Sequence, residues 1–328
     1  MKKSIWLFSL TLLLSTMITL SSNNWISMWM GLEVNMMSFI PIILEKSNKS
    51  SSEAAMIYFL IQSMSSMMLM IMVLVSMIKY SIMNKIINMI IMFSILMKLG
   101  AAPFHMWVPE MMSKINWYKN IILMTWQKLA PLMMMSNVNW SWNMINVSIL
   151  CSVIIGSLGG INQNSLRKLM GYSSINHLGW MLAINKSMNM WMMYFLIYSL
   201  MSLMICQMFN KMNILYINQM TSLNMSNIEK VSMFIMMMSM GGLPPFIGFL
   251  PKWITIQSMI NEKEFMIMYI MLMCSMITLM FYMRVMTYMF SSFNLSIKWN
   301  MSSKYSETMN LIMMSMNLSL PAVMFMMM

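Results

Sequence analysis

Apolar runs long enough to cross a lipid bilayer follow one another along most of this chain. A transmembrane helix needs about 20 mostly apolar residues. The apolar runs of this chain have about that length, and only short polar segments separate them. Eleven are predicted, over residues 4–22, 25–44, 54–78, 84–110, 119–137, 142–160, 172–186, 188–210, 230–256, 264–290 and 306–327. The seventh is short, and the fourth and ninth are interrupted. The pattern predicts an all-α polytopic membrane protein of about eleven transmembrane helices.

The composition excludes the other broad classes. Of 328 residues, 59% are hydrophobic and 9% are charged, about a third of the charge that soluble domains carry. A soluble domain of this size leaves too much surface in water to hide so many apolar residues, and a disordered chain would be rich in charge. Methionine supplies 61 residues, which no folding requirement explains. An A+T-rich genome in which AUA encodes Met would explain it, so we expect synthesis inside mitochondria.

The basic residues predict an orientation in the membrane. The net charge of +12 does not indicate nucleic acid, because the basic residues form no patch and flank the apolar runs singly or in pairs. Twelve fall on the N-terminal side: Lys2, Lys3, Lys46, Lys49, Lys114, Lys119, Arg167, Lys168, Lys211, Lys230, Lys298 and Lys304. Four fall on the other side: Lys79, Lys85, Lys186 and Lys263. Positive residues favour the inner side, so we expect the N-terminus in the matrix and the C-terminus on the intermembrane side. The first run is expected to be a retained helix, because it lacks a small-residue cleavage site.

Two segments that contain glycine and proline interrupt predicted helices at corresponding positions along the chain. Residues 99–105 (LGAAPFH) interrupt the fourth run, and residues 241–248 (GGLPPFIG) interrupt the ninth. Proline removes a backbone donor and clashes with the preceding turn. The breaks fall on the fourth helix of two five-helix blocks, and five is odd, so inverted repeats of the kind found in secondary transporters are predicted. We expect a single domain over 1–328, with repeat one at about 4–137, repeat two at about 142–290 and an extra helix at about 306–327.

Four ionisable residues lie deep in apolar runs, namely Glu33, Lys98, Lys128 and Lys252. A charge at the bilayer centre costs roughly 3 kcal/mol or more, so such residues usually face an interior cavity and serve function. The alternative is snorkelling of the lysines to the headgroups. It fails for Lys128, which is about 13 Å from either end of its run, and remains open for Lys252. Burial disfavours a charged lysine and a nearby carboxylate favours it, so these residues are candidates for a proton relay.

Other polar residues leave more than one interpretation open. His105 and His177 could join the relay or merely hydrogen-bond in helix packing, and Arg284 is expected to be a structural or end-anchored charge whose partner carboxylate is unidentified. Cys151, Cys206 and Cys274 stand alone, without a CxxC motif. No metal site or iron–sulfur cluster is therefore predicted.

Five sequence blocks are similar to those of one known family. They are residues 31–42 (GLEVNMMSFIPI), 98–110 (KLGAAPFHMWVPE), 125–132 (TWQKLAPL), 171–180 (GYSSINHLGW) and 241–253 (GGLPPFIGFLPKW). They resemble the family of mitochondrial NADH–ubiquinone oxidoreductase chain 2, an antiporter-like membrane-arm subunit of respiratory complex I, and the methionine bias suggests an invertebrate version. The resemblance runs along the whole chain, although the first, third and eleventh helices match only in hydropathy and length.

The resemblance implies a proton-translocating subunit of complex I, a translocase of the respiratory chain that couples electron transport from NADH to ubiquinone to proton pumping across the mitochondrial inner membrane. It implies that Glu33, Lys98, Lys128 and Lys252 carry the protons. It further implies no redox chemistry and no bound cofactor in this chain, with NAD, FMN, iron–sulfur clusters and ubiquinone in other subunits. Expected partners are the other membrane-arm and accessory subunits and a lipid bilayer including cardiolipin. The alternatives are a free-standing cation/proton antiporter and a purely structural membrane-arm scaffold.

Overall fold

The computed structural model describes residues 2–44, 48–78, 84–137, 142–185, 188–222, 226–291, 311 and 314–319. Within these residues the regular secondary structure is helical, apart from an isolated bridge between Ser165 and Tyr216. The helices are α1 Lys2–Ser21, α2 Trp25–Ile43, α3 Lys49–Met77, α4 Asn84–Leu99, α5 Trp107–Lys114, α6 Trp117–Met124, α7 Trp126–Ser136, α8 Trp142–Ile161, α9 Leu166–Ile184, α10 Met188–Lys211, α11 Gln219–Ser222, α12 Asn227–Gly241, α13 Phe249–Asn261 and α14 Phe265–Phe290.

Five of these helices are long and apolar enough, over the described residues, to cross a membrane. They cover Trp25–Ile43, Lys49–Met77, Met144–Ile161, Met190–Lys211 and Phe265–Phe290. The all-helical prediction is confirmed, and the total of eleven spans stays a prediction. Of the last predicted run, 306–327, the structure describes residues 311 and 314–319.

Two of the predicted runs differ from the helices observed. The seventh is not short, because α9 begins at Leu166 and has 19 residues. The fifth is not continuous, because Thr125 separates α6 from α7. The Thr125 hydroxyl donates to the Ile121 carbonyl at 2.7 Å, and such back-bonding bends helices. Pro131, inside α7, has no N–H to offer to the carbonyl four residues earlier.

The two breaks predicted from the prolines share one backbone design. Gly100 follows α4 with φ of 69°, and Gly242 follows α12 with φ of 73°. Glycine adopts this left-handed conformation without the steric cost that a Cβ brings. The peptide bonds before Pro103 and Pro245 are both cis, and α5 and α13 begin at the same spacing from their glycine.

The chain forms two compact units, Met1–Ser152 and Val153–Met328. In the first unit, α2 packs against α1, α3 packs against α2, α4 and α5, and α7 contacts α1, α2 and α4. Gly31 allows the close approach of α1 to α2, because a Cβ there would lie 3.0 Å from the Ser15 carbonyl oxygen and would overlap the Thr19 side chain. The predicted single domain and its repeat boundaries stay predictions.

In the second unit, α9 contacts α10 and α13, and α12 packs against α10 and α14. Arg284 of α14 donates to the carbonyl of Ile161, at the end of α8, and at 2.6 Å to the carbonyl of Gln163. The last carbonyls of a helix have no partner within it. Arg284 therefore caps α8 with its guanidinium, which gives this charge backbone partners in place of the carboxylate sought in the sequence.

Candidate functional site

Two of the candidate lysines lie around one small cavity in the first unit. Lys98, in the last turn of α4, is 5% exposed, and Lys128, in α7, is 3% exposed. Both side chains line a cavity of about 20 Å³, which is enough for one water molecule. The other lining residues are Leu32, Asn35, Tyr58, Gln62, Leu99, Trp107, Val108, Leu123, Gln127 and Pro131. The cavity therefore gives the two lysines a shared, largely enclosed space.

The break after α4 places Lys98 at this cavity. Because α4 ends at Leu99, the carbonyl of Lys98 has no helical partner. The side chain of Gln62, from α3, donates to that carbonyl at 3.2 Å. The end of α4 is thus held against α3, with the lysine side chain directed to the cavity that Gln62 also lines.

A chain of hydrogen bonds crosses the cavity wall from α3 through α7 to α2. The Tyr58 hydroxyl donates to Gln127 Oε1 at 3.1 Å, and Gln127 Nε2 donates to Asn35 Oδ1 at 3.1 Å. Tyr58 and Asn35 are both 3% exposed. Buried polar groups that satisfy one another rigidify their surroundings, and here they fix the start of α7 beside Lys128.

Glu33 lies on α2, close enough to act electrostatically on Lys98. Its side chain is half-buried, and its Oε1 is a buried atom without a hydrogen-bond partner. No ion pair shorter than 4.0 Å joins these two described side chains. Leu32, the neighbour of Glu33 on α2, lines the cavity, so Glu33 lies next to the group formed by Lys98 and Lys128 and outside its lining.

Lys252 lies in the second unit, at the other break. It is 4% exposed, and its Nζ donates to the carbonyl oxygen of Gly241 at 2.6 Å. The ammonium also lies 5.5 Å from the ring centroid of Trp180, within the range of a cation–π interaction. Burial and these contacts exclude snorkelling for this side chain in the structure.

The two histidines have different surroundings. His105 is 8% exposed, and its Nδ1 lies 3.1 Å from the carbonyl oxygen of Pro103, within the first break. His177 lies in the second unit, with Nδ1 2.8 Å from the Tyr194 hydroxyl and its ring 4.9 Å from that of Tyr198. His105 does not line the cavity around Lys98 and Lys128. Whether either histidine joins the relay stays a prediction.

Several site residues were missed from the sequence. Asn35, Gln62 and Gln127 are polar residues inside apolar runs, which is the signal that could have found them. Lys119, which the sequence counts among the charges that flank the runs, is 6% exposed, and its Nζ donates to the Ile43 carbonyl at 3.1 Å. It caps the end of α2, so it does not sit at the membrane edge as a free charge. In the described part of the chain, no three His, Cys, Asp or Glu side chains are grouped as metal ligands.

Broken helices beside buried lysines are typical of ion-translocating membrane proteins, and this chain has both features. Residues 22–278 match the family described as NADH:quinone oxidoreductase/Mrp antiporter, transmembrane. NADH-ubiquinone oxidoreductase chain 2 of Anopheles gambiae is 43% identical, with 95% of this chain and 93% of that protein aligned. The Locusta migratoria protein of the same name is 45% identical, covering 85% and 83%. The chain belongs to the NADH-ubiquinone oxidoreductase chain 2 family.

Solved structures share the fold at low identity. A chain of respiratory complex I from Thermus thermophilus, solved with bound aureothin, superposes with a TM-score of 0.83 at 17% identity, covering 97% of this chain and 79% of that chain. A chain of the Mrp complex from Dietzia sp. gives a TM-score of 0.78 at 15% identity, covering 86% and 60%. These similarities establish the fold over nearly the whole chain.

Proposed function

We propose that this chain is a proton-translocating membrane-arm subunit of respiratory complex I, which couples electron transfer from NADH to ubiquinone to proton pumping across the mitochondrial inner membrane. It is thus part of an enzyme complex, NADH:ubiquinone reductase. The observation that carries the proposal is the cavity lined by both Lys98 and Lys128. Buried lysines around a space that can hold water have the chemistry that a proton relay requires.

In the proposed relay, protons pass between neighbouring basic groups. Glu33 responds to a signal from neighbouring subunits and sets the proton occupancy of Lys98 through its charge. Lys98 exchanges a proton with Lys128 across the cavity, with one water molecule as the bridge. Lys252 passes the proton onward towards one face of the membrane. The irregular backbone at the two breaks admits water, which continuous helices exclude.

The wider arrangement follows the same proposal. The fold has eleven transmembrane helices in two inverted repeats, with the N-terminus in the matrix and the C-terminus on the intermembrane side. The shared backbone design of the breaks at Gly100 and Gly242 supports the repeats. The partners are other membrane-arm and accessory subunits and a bilayer that includes cardiolipin. NAD, FMN, iron–sulfur clusters and ubiquinone belong to other subunits, and this chain binds none of them.

A native gel of solubilised inner mitochondrial membranes tests the assignment. The gel is stained for NADH dehydrogenase activity, and the chain is identified in each band by mass spectrometry. We expect the chain in an active band of complex I size. If it is found only at low mass, away from that activity, the free-standing cation/proton antiporter becomes the better assignment.

Lys128→Met tests the relay in the assembled complex. The variant keeps the apolar stem and removes the ammonium, so turnover with ubiquinone should fall by about tenfold or more while the amount of complex stays nearly unchanged. The matched control is Lys119→Met, which also removes a buried ammonium but lies away from the cavity. It should lower the stability of the complex and leave turnover per complex nearly unchanged. Full pumping in Lys128→Met would refute the relay.

A charge swap separates the relay from the scaffold. The double variant Glu33→Lys with Lys98→Glu moves the positive charge to α2 and the negative charge to α4, so the pair keeps one charge of each sign. A scaffold tolerates such an exchange and would keep its turnover. A relay needs its acid and bases in order, so we expect the double variant to assemble and to lose coupled turnover.

A further inference from the structure

The last backbone carbonyl of α12 accepts a hydrogen bond from a side chain outside that helix. Gly242 adopts a left-handed conformation, and its N–H contacts the carbonyls of Met238 and Ser239. The last carbonyls of a helix lack partners within it and carry partial negative charge. The carbonyl of Gly241, the final residue of α12, receives its hydrogen bond from the side chain of Lys252.

Gly242 provides the space in which this lysine lies. A Cβ added at Gly242 would be 2.6 Å from Cδ, 2.7 Å from Cε and 2.9 Å from Nζ of Lys252. Carbon atoms at such distances overlap, so the end of the lysine side chain would have to move. The absence of a side chain at position 242 therefore allows Nζ to reach the Gly241 carbonyl.

The first break shares the backbone of the second and lacks this arrangement. A Cβ added at Gly100 would meet the side chains of Trp107 and Val108. Lys252 lies ten residues after Gly242 in the second break. The residue ten positions after Gly100 in the first break is Glu110, which is exposed. The lysine contact is thus a feature of the second break alone, and the left-handed glycine is common to both.

We propose that Gly242 and the carbonyl of Gly241 form a seat that fixes the ammonium of Lys252, which makes Gly242 a positioning residue for proton transfer at the second break. The inference rests on the proposed function, since it requires Lys252 to carry protons. A side chain at position 242 displaces Nζ from the end of α12. The lysine then no longer holds the geometry from which it exchanges a proton.

The test compares Gly242→Ala with Gly159→Ala in the intact complex. Both variants place a Cβ against a side chain of the second unit, Lys252 in the first case and Tyr172 in the second, so only the first displaces a lysine. We expect Gly242→Ala to lower the maximal NADH:ubiquinone rate per assembled complex by about tenfold or more, with an unchanged KM for ubiquinone. Gly159→Ala should leave the rate per complex within about twofold. Equal losses of rate in the two variants would overturn the inference.

Two further measurements remove the remaining ambiguity. In an electron cryomicroscopy map of Gly242→Ala, Nζ of Lys252 should have left the Gly241 carbonyl, and a lysine that stays in contact overturns the seat. If Gly242→Ala does not assemble, Lys252→Met decides instead, because it keeps the stem and removes the donor. The end of α12 should then shift away from α13 in its map, and an unmoved end contradicts the seat. Full pumping by Lys252→Met refutes the proposed relay at this residue and with it the positioning role of Gly242, whereas the map of Lys252→Met alone decides whether the lysine holds the end of α12.

Discussion

At the scale of single residues, the buried lysines of this chain fall into two kinds. Lys119 and Lys252 donate to backbone carbonyls at helix ends, where a cation offsets partial negative charge. Lys98 and Lys128 line a cavity whose wall is made polar by amide and hydroxyl side chains. Backbone carbonyls hold a lysine in one place, whereas a cavity lets it exchange partners.

The hydrogen-bonded chain beside Lys128 predicts a graded loss of stability. Tyr58→Phe removes one donor to Gln127, which should cost about 1 kcal/mol. Gln127→Met should cost more, roughly 2 kcal/mol, because both Tyr58 and Asn35 lose their partner. The measurement is the midpoint of thermal inactivation of the assembled complex. Tyr118→Phe is the control, since that ring is 63% exposed. A midpoint as low in the control as in Tyr58→Phe would contradict the prediction.

At the scale of elements, the second break depends on a close approach of backbone to backbone. Gly248 precedes α13, and a Cβ there would overlap the carbonyl group of Ser239 in α12. Backbone atoms inside a helix cannot move aside as a flexible side chain can. Glycine at this position therefore sets the distance between α12 and the segment that leads into α13.

Gly248→Ala should prevent accumulation of the complex. Ser239 is held within α12, so the added methyl group must push the two segments apart, at a cost of several kcal/mol. The measurement is the amount of assembled complex on a native gel. Gly159→Ala is the control: its Cβ would lie 2.6 Å from Cδ1 of the Tyr172 ring, a side chain that can rotate, and most of the complex should remain. Normal assembly of Gly248→Ala would show that α12 and α13 adjust.

These elements show which features a sequence can predict. The breaks after α4 and α12 were predictable because proline and glycine leave local signals. The break at Thr125 was missed, because threonine also occurs within continuous helices and its hydroxyl bond to the Ile121 carbonyl is visible only in the folded backbone. The charges at Glu33, Lys98, Lys128 and Lys252 were visible as costly exceptions in apolar runs. The partners of Gln62 and Gln127 depend on which helices pack together, and no local pattern encodes that.

At the scale of the whole molecule, the described chain consists of helices with large apolar residues turned outward. Met266 is 81% exposed, Trp6 and Met64 are each 71% exposed, and Met280 is 70% exposed. Polar side chains such as Asn35, Gln62 and Asn176 are buried instead. This distribution suits a chain surrounded by lipid and by other apolar proteins, and its chemistry is confined to the interior.

The three cysteines lead to a prediction about the cofactor content of the complex. Cys206 and Cys274 are buried, Cys151 is half-buried, and none of the three forms a disulfide. If this chain holds no redox group, replacing all three by alanine should leave the iron, acid-labile sulfide and FMN per complex unchanged. These contents are measured on purified complex, with the unmodified complex as the reference. A loss of iron in step with sulfide would place a cluster in this chain.

The repeated break has a consequence for how such a chain can change over time. One backbone turn, set by a left-handed glycine and a proline step, occurs twice and presents an acid in one copy and a base in the other. The same glycine and proline positions recur in both copies, while the charge of the residue ten positions after the glycine differs between them. Exchange of the residue at this position changes the charge beside the turn and leaves the glycine and proline that form it in place. Duplication followed by such exchanges would suffice to diversify ion pathways on one architecture.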